Sequence, residues 1–581
     1  MIIRTEIDDL CELAEKGPIA YSDISKKFGW KPEMVDEICE VLEKRGIIKR
    51  NYPMTVVQQP RITLLKKLPR AVEEEEGGKL VDSYYLKADR VPGKVVISAS
   101  KRESRPTYNI LIPVTGAYTA IFLEHLKDRV AEKVSVETQQ LLDVKMSDEI
   151  KHQFEIVTAA EVAKYFGKDA EKAGLITGIL LHSMYGLGNI EVLMADDMLE
   201  EIIVNNAATP ISVYHRRLGW LKTNIYLSTE DDIANYSSQI GRKVGRQITV
   251  LEPILDAHLM SGDRACATLF PISSRGNTLT IRRFARDPWT MINFFSEEMG
   301  SLSIDMAALI WQAIHFELNM IVAGGTASGK TSMLNSMCAL IPPHQRVVTI
   351  EDTRELMFPS HHWNWVPLTT REANAEGVGQ VDMLNLLIHS LRMRPDRIVL
   401  GEIRKREEAE VLFEAMHTGH AVYSTLHADT ASQVLRRMTQ PPMEIPEEEM
   451  DSLHLLVVQY RDRRKNIRRT LEISEVTSGG AEGKLGLNRV WLWRPREDSF
   501  QKFKEPTKMI EALNLHTGMT EKEIARDLKD RNAVLSWMQN KKLDKTEDVG
   551  KVMSAYYASA DEIIDAAYKN LDPAKVFQEK A

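Results

Sequence analysis

From about residue 300 onward, short apolar runs alternate with longer stretches that carry a single apolar stripe. Met320 to Ala323, Arg346 to Glu351, Arg397 to Leu400 and Ala421 to Leu426 are the runs. Asp382 to Leu391 and Glu407 to Met416 are among the striped segments. Short runs with no polar face predict strands covered on both sides, and the striped segments predict helices. Strands that alternate with helices predict a doubly wound, largely parallel α/β sheet.

The N-terminal pattern is different. Ile7, Leu10, Leu13 and Ala14 form a helical stripe, Ser22 to Phe28 predicts a second helix, and Pro32 opens a third that Gly46 ends. Ile47 to Arg50 and Arg61 to Lys66 predict two strands about a turn near Pro53. Three helices and a hairpin in this order predict a winged-helix-like module over 1–70. The third helix carries Glu33, Asp36, Glu37, Glu40 and Glu43, which oppose phosphate, so protein docking is expected over DNA binding. An acidic, glycine-containing linker follows over 71–80. Short strands such as Glu201 to Asn205 and Ile211 to Tyr214, mixed with helices, predict an α+β domain over 81–290. The α/β pattern covers 291–440, and 441–581 reads as mixed and then helical.

A chain of 581 residues needs several cores. Its formal charge of −8 argues against generic nucleic-acid binding. No window approaches the roughly 18 uninterrupted apolar residues of a membrane span, and acidic residues interrupt the N-terminus where a signal peptide would be apolar. Four cysteines without a C-x-x-C pair exclude a disulfide framework and fit a reducing cytoplasm. Any membrane role is expected to be peripheral.

One motif carries specific chemistry. Gly324-Gly325-Thr326-Ala327-Ser328-Gly329-Lys330-Thr331-Ser332 contains a complete G-x-x-x-x-G-K-[ST] loop between an expected strand and an expected helix. Glycines let the loop close so that backbone N–H groups surround phosphate. Lys330 reaches the β- and γ-phosphates, and Thr331 offers a hydroxyl to Mg²⁺, so ATP with Mg²⁺ is the expected ligand. At the carboxyl ends of neighbouring strands stand Glu351, Glu402 and His427. Glu402 is the first choice for directing the attacking water and Glu351 the second, with action on the metal through water its alternative. His427 is a candidate γ-phosphate contact.

Together these motifs resemble the ATPases of type II secretion, type IV pili, archaeal swimming filaments and the conjugation-associated traffic ATPases. The matching segments are the phosphate loop, IEDTRE from Ile350, RIVLGEIR from Arg397 and GHAVYSTLHA from Gly419. Upstream, EEIIVNN, PILDAHLMSGDR from Pro253 and Thr280 to Phe284 match as well. The resemblance implies a RecA-like ATPase domain and a homohexameric ring with nucleotide between the two larger domains. Arg264 and Arg282 are implied to bring positive charge to the phosphates, with Arg283 a weaker candidate and structural ion pairs the alternative. It further implies work on a polytopic membrane platform protein at the inner face of the cell membrane, with no specific nucleic acid. Gly401 stands where most P-loop proteins have aspartate. The bacterial zinc-binding cysteines are missing, which places the chain nearer the archaeal branch. A conjugation-type traffic ATPase is the alternative within the class, and a DNA translocase or ATP-dependent regulator the alternative outside it. The basic stretch Arg461 to Arg469 is either a solvated strand face or a site for nucleic acid, acidic lipid or an acidic partner surface.

Overall fold

The computed structural model describes residues 2–52, 59–68, 78–100, 103–134, 144–167, 169–259, 262–283, 288–371, 373, 378–465, 467–478 and 485–578. The expected turn near Pro53, the acidic run 71–77 and Phe284 lie outside the described residues. The chain forms two units, Met1–Arg283 and Phe284–Ala581.

The first unit begins with β1 (Ile2–Ile3), α1 (Glu6–Glu15), β2 (Ile19–Ala20), α2 (Tyr21–Phe28), α3 (Pro32–Lys44), β3 (Ile48–Asn51) and β4 (Arg61–Leu64). Thr5 and Asp8 form a reciprocal cap on α1, and Pro32 stands in the first turn of α3, where its missing N–H does no harm. Strands β2, β4 and β3 pair as an antiparallel sheet. Ile7, Leu10, Ile24, Ile38 and Leu42 share one core with Phe122 and Leu126 of α4 (Ala117–Lys133) and Val162 of α5 (Val144–Phe166). Asp8 also accepts the backbone N–H groups of Tyr118 and Thr119 at 3.1 and 3.2 Å, which satisfies the start of α4. On α3, Glu37 pairs with Arg129 of α4, Asp36 and Glu43 with Arg50, and Glu40 with Lys44. Four of the five carboxylates expected to repel DNA are therefore held in ion pairs, and α3 lies against α4.

The rest of this unit is built on a nine-stranded sheet. Its strands are β5 (Lys79–Ala88), β6 (Val91–Ala99), β7 (Thr107–Leu111), β9 (Leu199–Val204), β10 (Ser212–His215), β11 (Gly219–Thr223), β12 (Ile254–His258), β13 (Arg264–Thr268) and β14 (Thr278–Arg282). Their order is β12-β13-β14-β9-β10-β11-β7-β6-β5. The short β8 (Val114–Thr115) instead pairs with β1. Ala265, Ala267, Leu279 and Ile281 face the core, and the intervening residues of β13 and β14 face outward.

The second unit holds another nine-stranded sheet. It comprises β15 (Met320–Gly324), β16 (Val347–Glu351), β17 (Trp365–Thr369), β18 (Arg397–Leu400), β19 (Ala421–Leu426), β20 (Leu455–Asp462), β21 (Ile467–Ser478), β22 (Leu485–Arg494) and β23 (Ser499–Lys502), in the order β17-β16-β18-β19-β15-β20-β21-β22-β23. From β17 to β20 every pairing is parallel; from β20 to β23 every pairing is antiparallel. The region read as mixed after 440 thus continues the phosphate-loop sheet before turning helical. Met320 and Val322 pack into the cluster on one face and Ile321 and Ala323 into that on the other. A strand covered on both faces has no polar side to show, which explains the unbroken apolar run. The helices Ile304–His315 and Glu521–Asn540 cover the first face, and Gln312 donates to Ile524 O and to Asp527 between them. Among the described residues no helix is long and apolar enough to cross a membrane.

Candidate nucleotide-binding site

Strand β15 delivers the chain into the loop at Gly324, whose φ is +154°. A Cβ there would stand 2.4 Å from Gln459 O and from Ser328 Oγ, so only glycine fits. Gly329, at φ +96°, caps the helix Lys330–Cys338. Within the loop the Lys330 ammonium and the Ser328 N–H both donate to Gly325 O, at 3.2 and 3.3 Å. Burial lowers the Lys330 pKa from its ordinary value; the charges of Glu402, Asp429 and Glu355 oppose that shift. Ser328 Oγ is buried with no hydrogen-bond partner among the described residues. Thr331 and Ser332 follow in the first helical turn, both half-buried.

The expected acidic and histidine groups stand at the ends of β16, β18 and β19, the edge at which parallel α/β sheets hold ligands. Glu351 ends β16 and is 3% exposed. Its Oε1 accepts the N–H groups of Glu355 and Leu356 at 2.8 and 3.0 Å, and its Oε2 is buried and unpartnered among the described residues. Burial raises its pKa to about 7 against the pull of those two hydrogen bonds. Gly401 leaves room beside it: a Cβ there would contact Glu351 Cγ at 3.4 Å. Glu402 is more open and pairs with Arg404 at 2.8 Å, while Arg404 also reaches Asp352. Thr425 of β19 ties this corner together by donating to Gly401 O at 2.7 Å. His427 is exposed, with Nε2 3.0 Å from Thr326 Oγ1 on the loop.

The three arginines lie in the other unit. Arg264 and Arg282 are direct cross-strand partners on β13 and β14. Arg264 makes two hydrogen bonds to Asp256, and Arg282 stands opposite Glu201 of β9. Arg283 is different: its side chain is 3% exposed, donates to Asp196 O and lies 3.6 Å from Asp197. It is an anchor within its own unit. Sequence reasoning missed two groups at the loop. Asp429 stands close to Gly325, where an added Cβ would meet its Oδ1 at 2.8 Å. Arg468 donates from Nε to Ala327 O at 3.1 Å. Asp429, two residues past His427, could have been found in the histidine segment; Arg468 was hidden in a charge run.

The family model described as "Type II/IV secretion system protein" matches residues 262–470, which span the paired arginines, the phosphate loop and Arg468. The type IV secretion system protein PtlH of Bordetella pertussis is 30% identical over 255 residues, 40% of this chain and 74% of that one. This chain belongs to the type II/IV secretion system protein family. An uncharacterized Methanocaldococcus jannaschii member is 34% identical over 375 residues, 62% of this chain, and the chain spans only 48% of that relative's length. The crystal structure of the VirB11 ATPase of the Brucella suis type IV secretion system is 22% identical, covering 48% of this chain and 92% of its own, with a TM-score of 0.25. For this family member the α/β class follows from its own strand order.

Proposed function

We propose that this chain is the ATP-hydrolysing motor of a type IV pilus, type II secretion-like or archaellum machine. In this reading it works as a homohexamer at the inner face of the cell membrane, pushing on a polytopic platform protein. The observation that carries the reading is the glycine loop with Lys330 at the carboxyl edge of a parallel sheet, with His427 bonded to it, the Glu402 charge beside Lys330, and Glu351 at the same edge.

The residues present fit a magnesium-bound triphosphate: a half-buried cation, a loop hydroxyl with no partner among the described residues and a cradle that a single Cβ would fill. Thr331 would hold Mg²⁺ directly and Glu351 would do so through water, the ion supplying neutralisation of phosphate charge. Lys330 and the loop N–H groups grip the phosphates. Glu402 orients and deprotonates the attacking water, and its pairing with Arg404 holds the carboxylate in place. His427, already bonded to Thr326, reports the γ-phosphate to the loop. Arg264 and Arg282 add positive charge when the two units close, stabilising the charge that develops in transfer. Residues 1–70 serve as a docking module for partner protein. PtlH favours the second reading, a conjugation-type traffic ATPase with the same chemistry and a different load.

Lys330→Ala in the full chain is the test. Hydrolysis of MgATP should be abolished, because no other cation of the loop reaches the β- and γ-phosphates. Turnover near that of the unmodified chain at saturating MgATP would sink the assignment.

A further inference from the structure

Ala327 has φ +58°, a left-handed conformation that a non-glycine residue adopts only when its surroundings impose it. A contact to this residue comes from far along the chain. Arg468, at the start of β21, donates from Nε to Ala327 O at 3.1 Å, and its Cδ lies 3.6 Å from where a Cβ on Gly329 would be. The side chain therefore lies along the outside of the loop. Its backbone is held on both sides. Ser301 Oγ donates to Arg468 O at 3.0 Å, and Thr470 N donates to Ser301 O at 2.6 Å. The neighbouring Arg469 grips Asp498 with two hydrogen bonds.

A peptide unit is planar and trans, so the Ala327 carbonyl and the Ser328 N–H point in opposite directions. Drawing the carbonyl outward turns the N–H inward, and there it donates to Gly325 O, the oxygen that also accepts from Lys330. Two donors thus meet at one point inside the loop. A phosphate oxygen can accept from both of them.

We propose that Arg468 is a positioning residue for nucleotide: it sets the Ala327–Ser328 peptide so that Ser328 N–H and Lys330 grip a phosphate together. The effect runs through a single Nε–H···O bond and needs no contact between the guanidinium and the nucleotide. This deepens the nucleotide-binding reading and rests on it. The loop grips phosphates that ATP and ADP share, so both ligands should feel the loss alike.

Glutamine places Nε2 as many bonds from the backbone as arginine places Nε, without the charge, whereas methionine fills similar space with no donor. In the full chain, Arg468→Met should raise KM for MgATP and weaken ADP binding by about tenfold each, the scale of one hydrogen bond from a charged donor. Its kcat should stay within about twofold and its thermal unfolding midpoint should be unchanged. Arg468→Gln should recover most of the affinity. Three results would overturn the proposal: Met without effect, Gln as damaging as Met, or a loss confined to ATP. The last two would mean that the guanidinium charge itself meets phosphate. Lys330→Ala assayed alongside separates the two levels, since a fully active Lys330→Ala removes the nucleotide reading itself.

Discussion

Glu402 and Glu351 lie at the ends of adjacent strands, yet their surroundings differ. Glu402 is partly open and paired with Arg404; Glu351 is buried, with one oxygen committed to two backbone N–H groups. Only the former has the access needed to take a proton from water. Glu402→Gln should leave ATP binding in place and lower hydrolysis by about a hundredfold or more, the scale of a lost general base. A larger loss in Glu351→Gln would reverse the two roles. A second residue-level consequence concerns acid. His454 joins β15 and β20 by accepting Asn319 N–H at its Nδ1 (3.1 Å), and burial lowers its pKa to about 4. A depressed histidine favours the folded state above its unfolded pKa of roughly 6.5, and that contribution is lost as pH falls through 4. The second unit should therefore lose up to about 3 kcal/mol from this site between pH 6.5 and pH 4. His454→Asn, which retains an acceptor near the same place, should flatten the fall of the thermal midpoint over that window. An equal slope in both proteins would remove His454 from the account. At this scale the phosphate loop was legible because its residues are contiguous and each has one chemical reason to be there. Arg468 was not, because a charge run looks the same whether a guanidinium meets water or a loop carbonyl. The burial of Glu351 was equally hidden, since it depends on the chain folding back at Leu356.

At the scale of elements, the pattern foretold the three helices and the two later strands of residues 1–64, but not β1, β2 or their attachment to α4. The Asp8 carboxylate serves two helices at once, and such a contact between distant segments leaves no periodic trace. Gly116 is its counterpart: a Cβ there would lie 2.1 Å from Asp8 Oδ2, a group pinned by backbone donors from both helices. Gly116→Ala should destabilise the first unit by about 1–3 kcal/mol, as overpacking does. A lowered first transition in scanning calorimetry would show it; an unshifted transition would mean that α4 can slide. The same attachment sets α4 beside α3 and pairs four of the carboxylates on which the expectation against DNA rested. The strands after residue 455 were also misjudged as a separate mixed region. Alternation in β21 and β22 says that one face is buried, but not against which sheet.

For the whole molecule, the proposed cycle requires charge to arrive from one unit at a site in the other. Arg264 and Arg282 stand side by side on neighbouring strands, and Asp256 orients the first of them. Exchanging both for glutamine should leave ATP binding within a fewfold and lower turnover by about a thousandfold or more, the scale of an arginine that stabilises a transferring phosphoryl group. Asp256→Asn should produce a smaller loss, because it loosens only Arg264. Full turnover in the double variant would exclude closure as the source of catalysis. The sheet of the second unit also has a consequence during synthesis. Strand β15 lies between β19 and β20, so the strand carrying the phosphate loop is paired on both sides by residues made more than a hundred positions later. At about 5–20 residues per second, the ribosome needs roughly ten seconds to supply them. For most of that interval an apolar strand stands with both rows of hydrogen-bonding groups open, so the nascent chain must be shielded by a holding chaperone or risk pairing with another copy of itself.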